Sequence, residues 1–582
     1  MEDNRNNGKW SRVETAFVVA CLLCMSIVMF AGIQQLSPTN DEPVHIVSGL
    51  ALWQMHDTRL NPEHPPLMKM LAAYPIRNSI IPDYRSSLFC SRGLCEWYFS
   101  KTQFENDRMQ SRLNRARIPM ILITVLTGWM IYMAARRLGG ATGAILALIV
   151  YCTSPFFLGY GPLVSNDVLL SLTVLTACLT VTDLLLTQTW KDMLWASLAL
   201  AAAWLTKFTA ILLFPAFGSV WLWNRWSDRS NHKIPKRSPV KAFVSFLLSF
   251  IYAYCIYAWM CGSSNAADVL AGRQVDWSND LSFHAMTNDF VQLWRNHATL
   301  EFILRPLWLY LTGIFSIGGH GDLNGYVMGG LPRFGGWYYF PVAFLFKMPL
   351  TLLFMLALTI ILFVLLVKKA GWNSSLNFLS YEQIILLRFI VVAAIVFGVG
   401  AELSKIHIGM RHIAVTILMC HVLVAMVPRM IAILYPDHSV PLVKGLIATM
   451  AIIGLSTCIM AFPNYIAYFN PLRGQTPKQE IVNDSNLEWG QGYIRLAEFQ
   501  KEKGLKNLYV YLNTQVEPQI YLSSAKSWSC DQKVPPDAEW LVVSADFMVW
   551  NGPGCKYLFQ LSFLKLQEES IYLFKVPLQH SR

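Results

Sequence analysis

Eleven apolar runs recur along this 582-residue chain, at roughly 14–34, 115–135, 141–161, 166–187, 192–206, 208–224, 242–261, 338–367, 387–404, 410–430 and 442–462. A hydrocarbon core about 30 Å thick takes about 20 residues of helix to cross. Inside that core backbone polar groups find no water, so only helices or closed barrels can span it. Runs of this length and number predict a polytopic α-helical membrane protein. Composition excludes the alternatives: hydrophobic residues are 54% of the chain and charged residues 14%, against about 25% charged in soluble domains. Too few charges remain to coat a soluble surface or to support a disordered chain or a coiled coil. The least regular pair is 192–206 and 208–224, where Lys207 divides one stretch and Trp204 to Lys207 reads as an interfacial turn.

Placement of charge sets the expected topology. Lysines and arginines exceed carboxylates by 47 − 36 = 11, and short cytoplasmic loops carry such an excess. With the N-terminus inside, those loops hold Arg136, Arg137, Lys191, the basic run from Arg225 to Lys241, Lys368, Lys369, Arg388, Arg429 and Lys444. Eleven spans then put the C-terminus outside, and the surplus needs no nucleic acid to explain it. The first run is expected to stay as a span, because no small-x-small cleavage site precedes Ser37.

Three segments lie outside the runs and all face out in this topology: 35–112, 262–336 and the tail 463–582. The chain thus divides into a membrane module, 1–462, and an extracytoplasmic domain, 463–582. The tail has a helical pattern around Gly490–Lys503 and strand-like stretches at Leu508–Leu512, Gln519–Leu522, Trp540–Val543 and Ser570–Val576, a small α/β unit. Of twelve cysteines, Cys90 with Cys95 and Cys530 with Cys555 are placed to form disulfides in an oxidising compartment. No cysteine spacing fits structural zinc. There is no P-loop, no GxGxxG and no GxSxG, so nucleotide-driven transport and serine hydrolysis have no support.

Polar residues gather at the outer ends of the runs. Asp41 and Glu42 follow the first, where ionised groups beside hydrocarbon are costly unless solvated or paired. Asn61 to Lys69 then places Glu63, His64 and Lys69 among prolines that stiffen the segment. Asp167 stands at the mouth of the fourth run, either as a helix N-cap or as a site residue. Lys347 lies inside an apolar run, either snorkelling to the interface or facing a ligand. Lys405, His407, Arg411 and His412 are cations on the side where the topology rule expects few, which points to an anionic ligand, most simply a phosphate.

In order, Asp41-Glu42, Asn61 to Leu67, Asn166-Asp167, Gly336 to Phe340, Lys347 to Pro349 and Gly409 to His412 resemble the glycosyltransferase C superfamily. Within it the chain is similar to the bacterial branch related to protein O-mannosyltransferases and lipid A aminoarabinose transferases. Tyr465 to Pro471 and Asp484 to Gln491 share the likeness, which covers about residues 10–505. The resemblance implies about eleven transmembrane helices in a glycosyltransferase C fold. It also implies inverting transfer of a hexosyl or pentosyl sugar from a polyprenyl-monophosphate donor to a protein or envelope glycolipid. The setting would be the outer face of a bacterial inner membrane, with the N-terminus cytoplasmic. Asp41 takes the place of the base, with Glu42 beside it. Glu63, His64, Lys69, Asp167, Lys347, Arg411 and His412 fall to donor or acceptor binding. Some relatives carry lysine where this chain has His64. No cofactor is required, although the family allows a divalent metal at Asp167.

The bottom-up chemistry agrees: a hydroxyl nucleophile needs a base, inversion needs that base opposite the leaving group, and a leaving lipid phosphate needs fixed cations. Two other readings were weighed. A transporter or flippase of lipid-linked sugars would show internal repeats, and none is visible. A catalytically inactive binding homologue has no need of both Asp41 and Asp167.

Overall fold

The computed structural model describes residues 11–577, leaving out 59, 80, 82–103, 105–107, 231–239, 261–297, 319–322, 331–335, 372–373, 405, 515, 551–554 and 567–568. Among the described residues eight helices are long and apolar enough to cross a membrane: Arg12–Ile33, Met109–Cys152, Asn166–Thr187, Val240–Met260, Leu350–Ala370, Tyr381–Glu402, Met410–Leu434 and Pro436–Ala461. All eleven apolar runs lie on helices, and the difference in number has physical causes. The stretch Met109–Cys152 carries two runs, and the non-helical backbone of Gly140, whose φ of 73° suits glycine, divides it into two helices joined end to end. The runs around Lys207 form the 15-residue helix Trp190–Trp204 and the helix Leu213–Ser230, whose C-terminal half is polar. The run from 338 is broken by Pro349 into Tyr339–Lys347 and Leu350–Ala370.

Trp204 is not interfacial, as the sequence implies. It is buried, donates to Ser249 Oγ at 2.8 Å, and stacks on Phe214 and Phe250. The expected outer segment 262–336 contains, where described, the helix Ala298–Gly318 with an apolar stretch at Phe302–Leu311. The segment 35–112 folds back as Glu42–Met55 and Pro66–Ala73, two helices pressed so close that a Cβ on Gly49 would meet the Lys69 carbonyl oxygen at 2.2 Å.

Residues 463–492 form a strap of short turns packed into the apolar core of the membrane module through Tyr465, Ile466, Ile481 and Leu487. Beyond it the helix Tyr493–Lys503 leads into a five-stranded sheet. Its order is Lys526–Ser527, Leu508–Tyr511, Trp540–Ser544, Ile571–Lys575, Phe563–Leu566. The first two pairings are parallel and the last two antiparallel. A small α/β unit was the expectation, with one correction: Gln519–Leu522 is not a strand. Pro518 lacks an N–H and opens a 3₁₀ turn, Pro518–Ile520. Phe563–Leu566 adds an edge strand absent from the sequence reading. Cys530 and Cys555 are bonded, while Cys90 and Cys95 lie outside the described residues.

Candidate functional site

The site is assembled by the turn that follows the first span. Arg117, projecting from Met109–Cys152, donates to the carbonyls of Leu36 at 2.8 Å and Ser37 at 3.0 Å. It also grips both Glu42 oxygens, at 2.8 and 2.6 Å. The same carboxylate accepts from the backbone N–H of Thr39 (2.9 Å) and of Val164 (3.0 Å). Neither side chain of the pair has access to solvent beyond 1%. Glu42 is therefore saturated, and against the effect of burial the Arg117 charge, with these hydrogen bonds, holds its carboxyl below the usual range. From the other side Asn40 N–H donates to Trp489 O, and Ser37 Oγ–H donates to Gly490 O at 2.7 Å. Gly490 has φ 100°, and a Cβ there would meet Pro38 O at 2.8 Å.

This clamp leaves Asp41 at the opening, with its side chain 18% exposed. Its Oδ2 meets Arg411 at 3.1 Å, and the same guanidinium reaches Asp167 Oδ2 at 3.7 Å. Lys207 closes the chain, donating to Asp167 Oδ1 at 2.7 Å. Arg411 lies over the Trp489 ring, 4.2 Å from its centroid, an approach that favours a desolvated cation. Burial, helped by the nearby Asp167 charge, raises the Asp41 carboxyl above its ordinary value even with Arg411 beside it. Asp167 does not act as an N-cap: Ser165 occupies that position and Asp167 sits in the first turn, turned to Lys207.

The proline-stiffened segment supplies a second wall. His45 Nδ1 faces Asn61 Oδ1 at 3.1 Å, Asn61 Nδ2–H donates to Glu63 Oε1 at 2.7 Å, and Lys69 Nζ–H donates to Asn61 O at 2.7 Å. The His45 and His64 rings meet edge to face at 5.1 Å. Burial, then the nearby Lys69 charge, pulls His45 down to about 3. Burial and the neighbours His45 and Lys207 hold His64 well below its ordinary value, so both rings are neutral at pH 7. Buried polar atoms without a hydrogen-bond partner cluster here: Glu63 Oε2, His64 Nδ1, both side-chain heteroatoms of Asn166, and His412 Nε2. Atoms of that kind are costly in a closed protein and fit a polar ligand.

Lys347 neither snorkels nor opens to the site. Its ammonium is capped by the carbonyls of Ile466 and Asn486 and lies 4.4 Å from the Phe469 ring. Lys405 lies outside the described residues. Lys207, read from the sequence as a break between runs, and Arg117 are the charged site residues that sequence reasoning missed. The available signal was that a cation at an apolar boundary demands a partner.

A divalent ion at Asp167 does not fit these residues. Its carboxylate is bound by two cations, Glu42 is committed to Arg117, and among the described residues no group of three metal-ligating side chains converges.

The strap carries its own ionisable groups. Asp546, from the sheet domain, accepts from Asp484 N–H at 2.9 Å, and Glu488 accepts from Gly490 N–H and Ser570 Oγ–H, each at 3.0 Å. Burial pushes Glu488 up to about 7, Asp484 to about 6, and Asp546 well above the usual range. A carboxyl raised in the folded chain contributes stability that is fully present below its free value, near 4.5 for glutamate, and lost as pH rises through the folded value. For Glu488 this amounts to about 3 kcal/mol. The opening free energy of the sheet amides, taken from hydrogen exchange corrected for the intrinsic rate at each pH, should therefore be larger at pH 5 than at pH 8, and Glu488→Gln should reduce the difference. Protection independent of pH in the unsubstituted chain would refute the linkage.

Residues 109–259, which carry Arg117, Asp167 and Lys207, match the family described as dolichyl-phosphate-mannose-protein mannosyltransferase. No curated protein shows a significant match. Among solved structures the chain is similar to ArnT from Cupriavidus metallidurans in the apo state, at 13% identity and TM-score 0.42 over 97% of this chain and 98% of that one. It is similar to the oligosaccharyltransferase AglB from Archaeoglobus fulgidus at 11% identity and TM-score 0.43, covering 98% of this chain and 76% of the other. Similarity to the S. cerevisiae protein O-mannosyltransferase Pmt1-Pmt2 complex is 16% identity at TM-score 0.30, over 44% of this chain and only 32% of that chain's length. The family match spans about a quarter of the chain, and the ordered motifs that resemble the glycosyltransferase C superfamily lie before, within and after it.

Proposed function

We propose that the chain transfers a hexosyl or pentosyl group, with inversion, from a polyprenyl-monophosphate donor to a hydroxyl of a protein or envelope glycolipid on the outer face of the membrane. The observation that carries this reading is the line Asp41, Arg411, Asp167, Lys207, in which one partly open carboxylate stands beside Arg411 and a buried one holds Arg411 and Lys207 together. Asp41 takes the proton of the acceptor hydroxyl as its oxygen bonds to the anomeric carbon. The bond from that carbon to the phosphate oxygen breaks, and its electron pair leaves on polyprenyl phosphate. Arg411 and Lys207 stabilise that growing charge from fixed positions. Asp167 orients both cations, and Glu42 with Arg117 positions Asp41. His64, His412 and Asn166 offer unpartnered hydrogen-bonding atoms to sugar hydroxyls or phosphate oxygens. No divalent metal enters the step. The disulfide Cys530–Cys555 supports an oxidising, outer location for the tail.

Liposomes carrying the purified chain and a panel of polyprenyl-phosphate sugars test the reading by release of polyprenyl phosphate. Arg411→Ala is expected to raise the donor KM at least about tenfold, the loss of one charge-assisted contact. Unchanged donor affinity would remove Arg411 from the phosphate, and no turnover with any donor in the panel would overturn the assignment as a whole.

A further inference from the structure

The exposed side chains of the sheet domain are not scattered. Tyr557, Phe559, Phe563 and Leu564 are each between 38% and 46% exposed and lie together at the edge strand Phe563–Leu566 and the 3₁₀ turn before it. Phe559 and Phe563 pack edge to face at 5.6 Å, and both also touch Tyr572 and Phe574 on the adjoining strand. Tyr572 and Phe574 belong to the core shared with the membrane module, and Gln479 of the strap donates to Tyr572 Oη at 2.8 Å. The exposed aromatics are thus the outer rim of the sheet face that docks on the membrane module. Lys556, Lys565 and Lys575 stand exposed among them.

Three contacts fix the height of this rim. Pro349 is the N-cap of the span Leu350–Ala370. Asn470 bonds the carbonyls of Leu345 and Met348 just before it, at 2.7 and 2.8 Å. Arg473, three residues on, bonds Glu569 at 2.8 Å, and Glu569 also holds Lys565 of the edge strand. Leu472, between Asn470 and Arg473, is exposed, as are Trp337 and Leu345 at the same end of the helices. The hairpin therefore sits at the level where a span leaves the hydrocarbon. Aromatics and lysines together at that depth are the composition of a membrane interface.

We infer that this rim is a lipid-binding surface: Tyr557, Phe559 and Phe563 dip into the headgroup region of the adjacent leaflet, and the lysines take anionic headgroups. The contact holds the sheet domain against the bilayer beside the site.

The full chain in nanodiscs, carrying the photoreactive residue p-benzoylphenylalanine in place of Phe563, tests this. Ser527→p-benzoylphenylalanine on the opposite edge strand serves as the control. Position 563 should yield phospholipid adducts by mass spectrometry and position 527 should not. Tyr557→p-benzoylphenylalanine, at an exposed neighbouring site, repeats the measurement if the first variant misfolds. Lipid adducts should increase when phosphatidylglycerol replaces phosphatidylcholine. Lys556→Gln should weaken that preference about fivefold, the equivalent of one cation at an anionic surface. Equal labelling at both edges, or a covalent dimer of the chain as the main product at 563, would overturn the proposal.

Discussion

Asp41→Asn should lower turnover about 10²–10⁴-fold, the range a positioned general base contributes, while leaving the fold and donor affinity close to those of the unsubstituted chain. Asparagine keeps the shape and can still accept from Arg411, so the turn pinned by Glu42, Arg117 and Trp489 has no reason to move. What is lost is the basicity of the carboxylate, which an amide oxygen lacks, so the acceptor proton has no base to receive it. The raised Asp41 carboxyl sharpens this expectation, because a base is more effective as its proton affinity approaches the working pH. The acidic limb of the pH–rate profile should disappear in the variant along with the rate. Undiminished turnover would show that the acceptor needs no base, as when it is itself a phosphate, and would leave Asp41 only the balancing of charge on Arg411.

The membrane helices were legible because apolar runs of this length have one viable fate, and every one of them lies on a helix. Their number was less legible: Met109–Cys152 holds two helices joined at the non-helical Gly140, and the two runs around Lys207 form a helix of 15 residues and one whose C-terminal half is polar. Asp41, Asp167 and Arg411 were legible for an energetic reason, since charges at the edge of hydrocarbon persist only where something holds them. The partners were not. Asp167 and Lys207 are 40 positions apart, and Glu42 and Arg117 are 75 apart, so which acid meets which base depends on helix packing that no local pattern encodes. Lys347 illustrates the converse. Its position in an apolar run pointed to a ligand, but the strap brings two backbone carbonyls that need a donor, and the ammonium satisfies them. The strap was hidden because its residues are turns held by tertiary hydrogen bonds, with neither a helical nor a strand period.

Arg117→Ala should be the most damaging single change to the fold of the site, at about 3–5 kcal/mol, the usual cost of leaving one member of a buried ion pair uncompensated. The loss goes beyond Glu42. The same guanidinium satisfies the carbonyls of Leu36 and Ser37, and without it the turn that presents Asp41 loses its inner anchor. Glu42→Gln should also be costly, since its one amide oxygen can accept from only one of the Thr39 and Val164 N–H groups, which meet different carboxylate oxygens, and the arginine charge is left unbalanced. The double change Glu42→Gln with Arg117→Met removes both charges and should recover part of the stability lost in Arg117→Ala, because a paired deletion leaves no bare ion in the core. Turnover should not recover with it. If Glu42 and Arg117 act only by positioning Asp41, the double variant folds better than Arg117→Ala yet stays slow, with kcat lowered more than the donor KM is raised. Thermal unfolding in detergent, set beside single-turnover transfer in liposomes, separates the two effects. Stability and turnover that return together would make the pair purely structural.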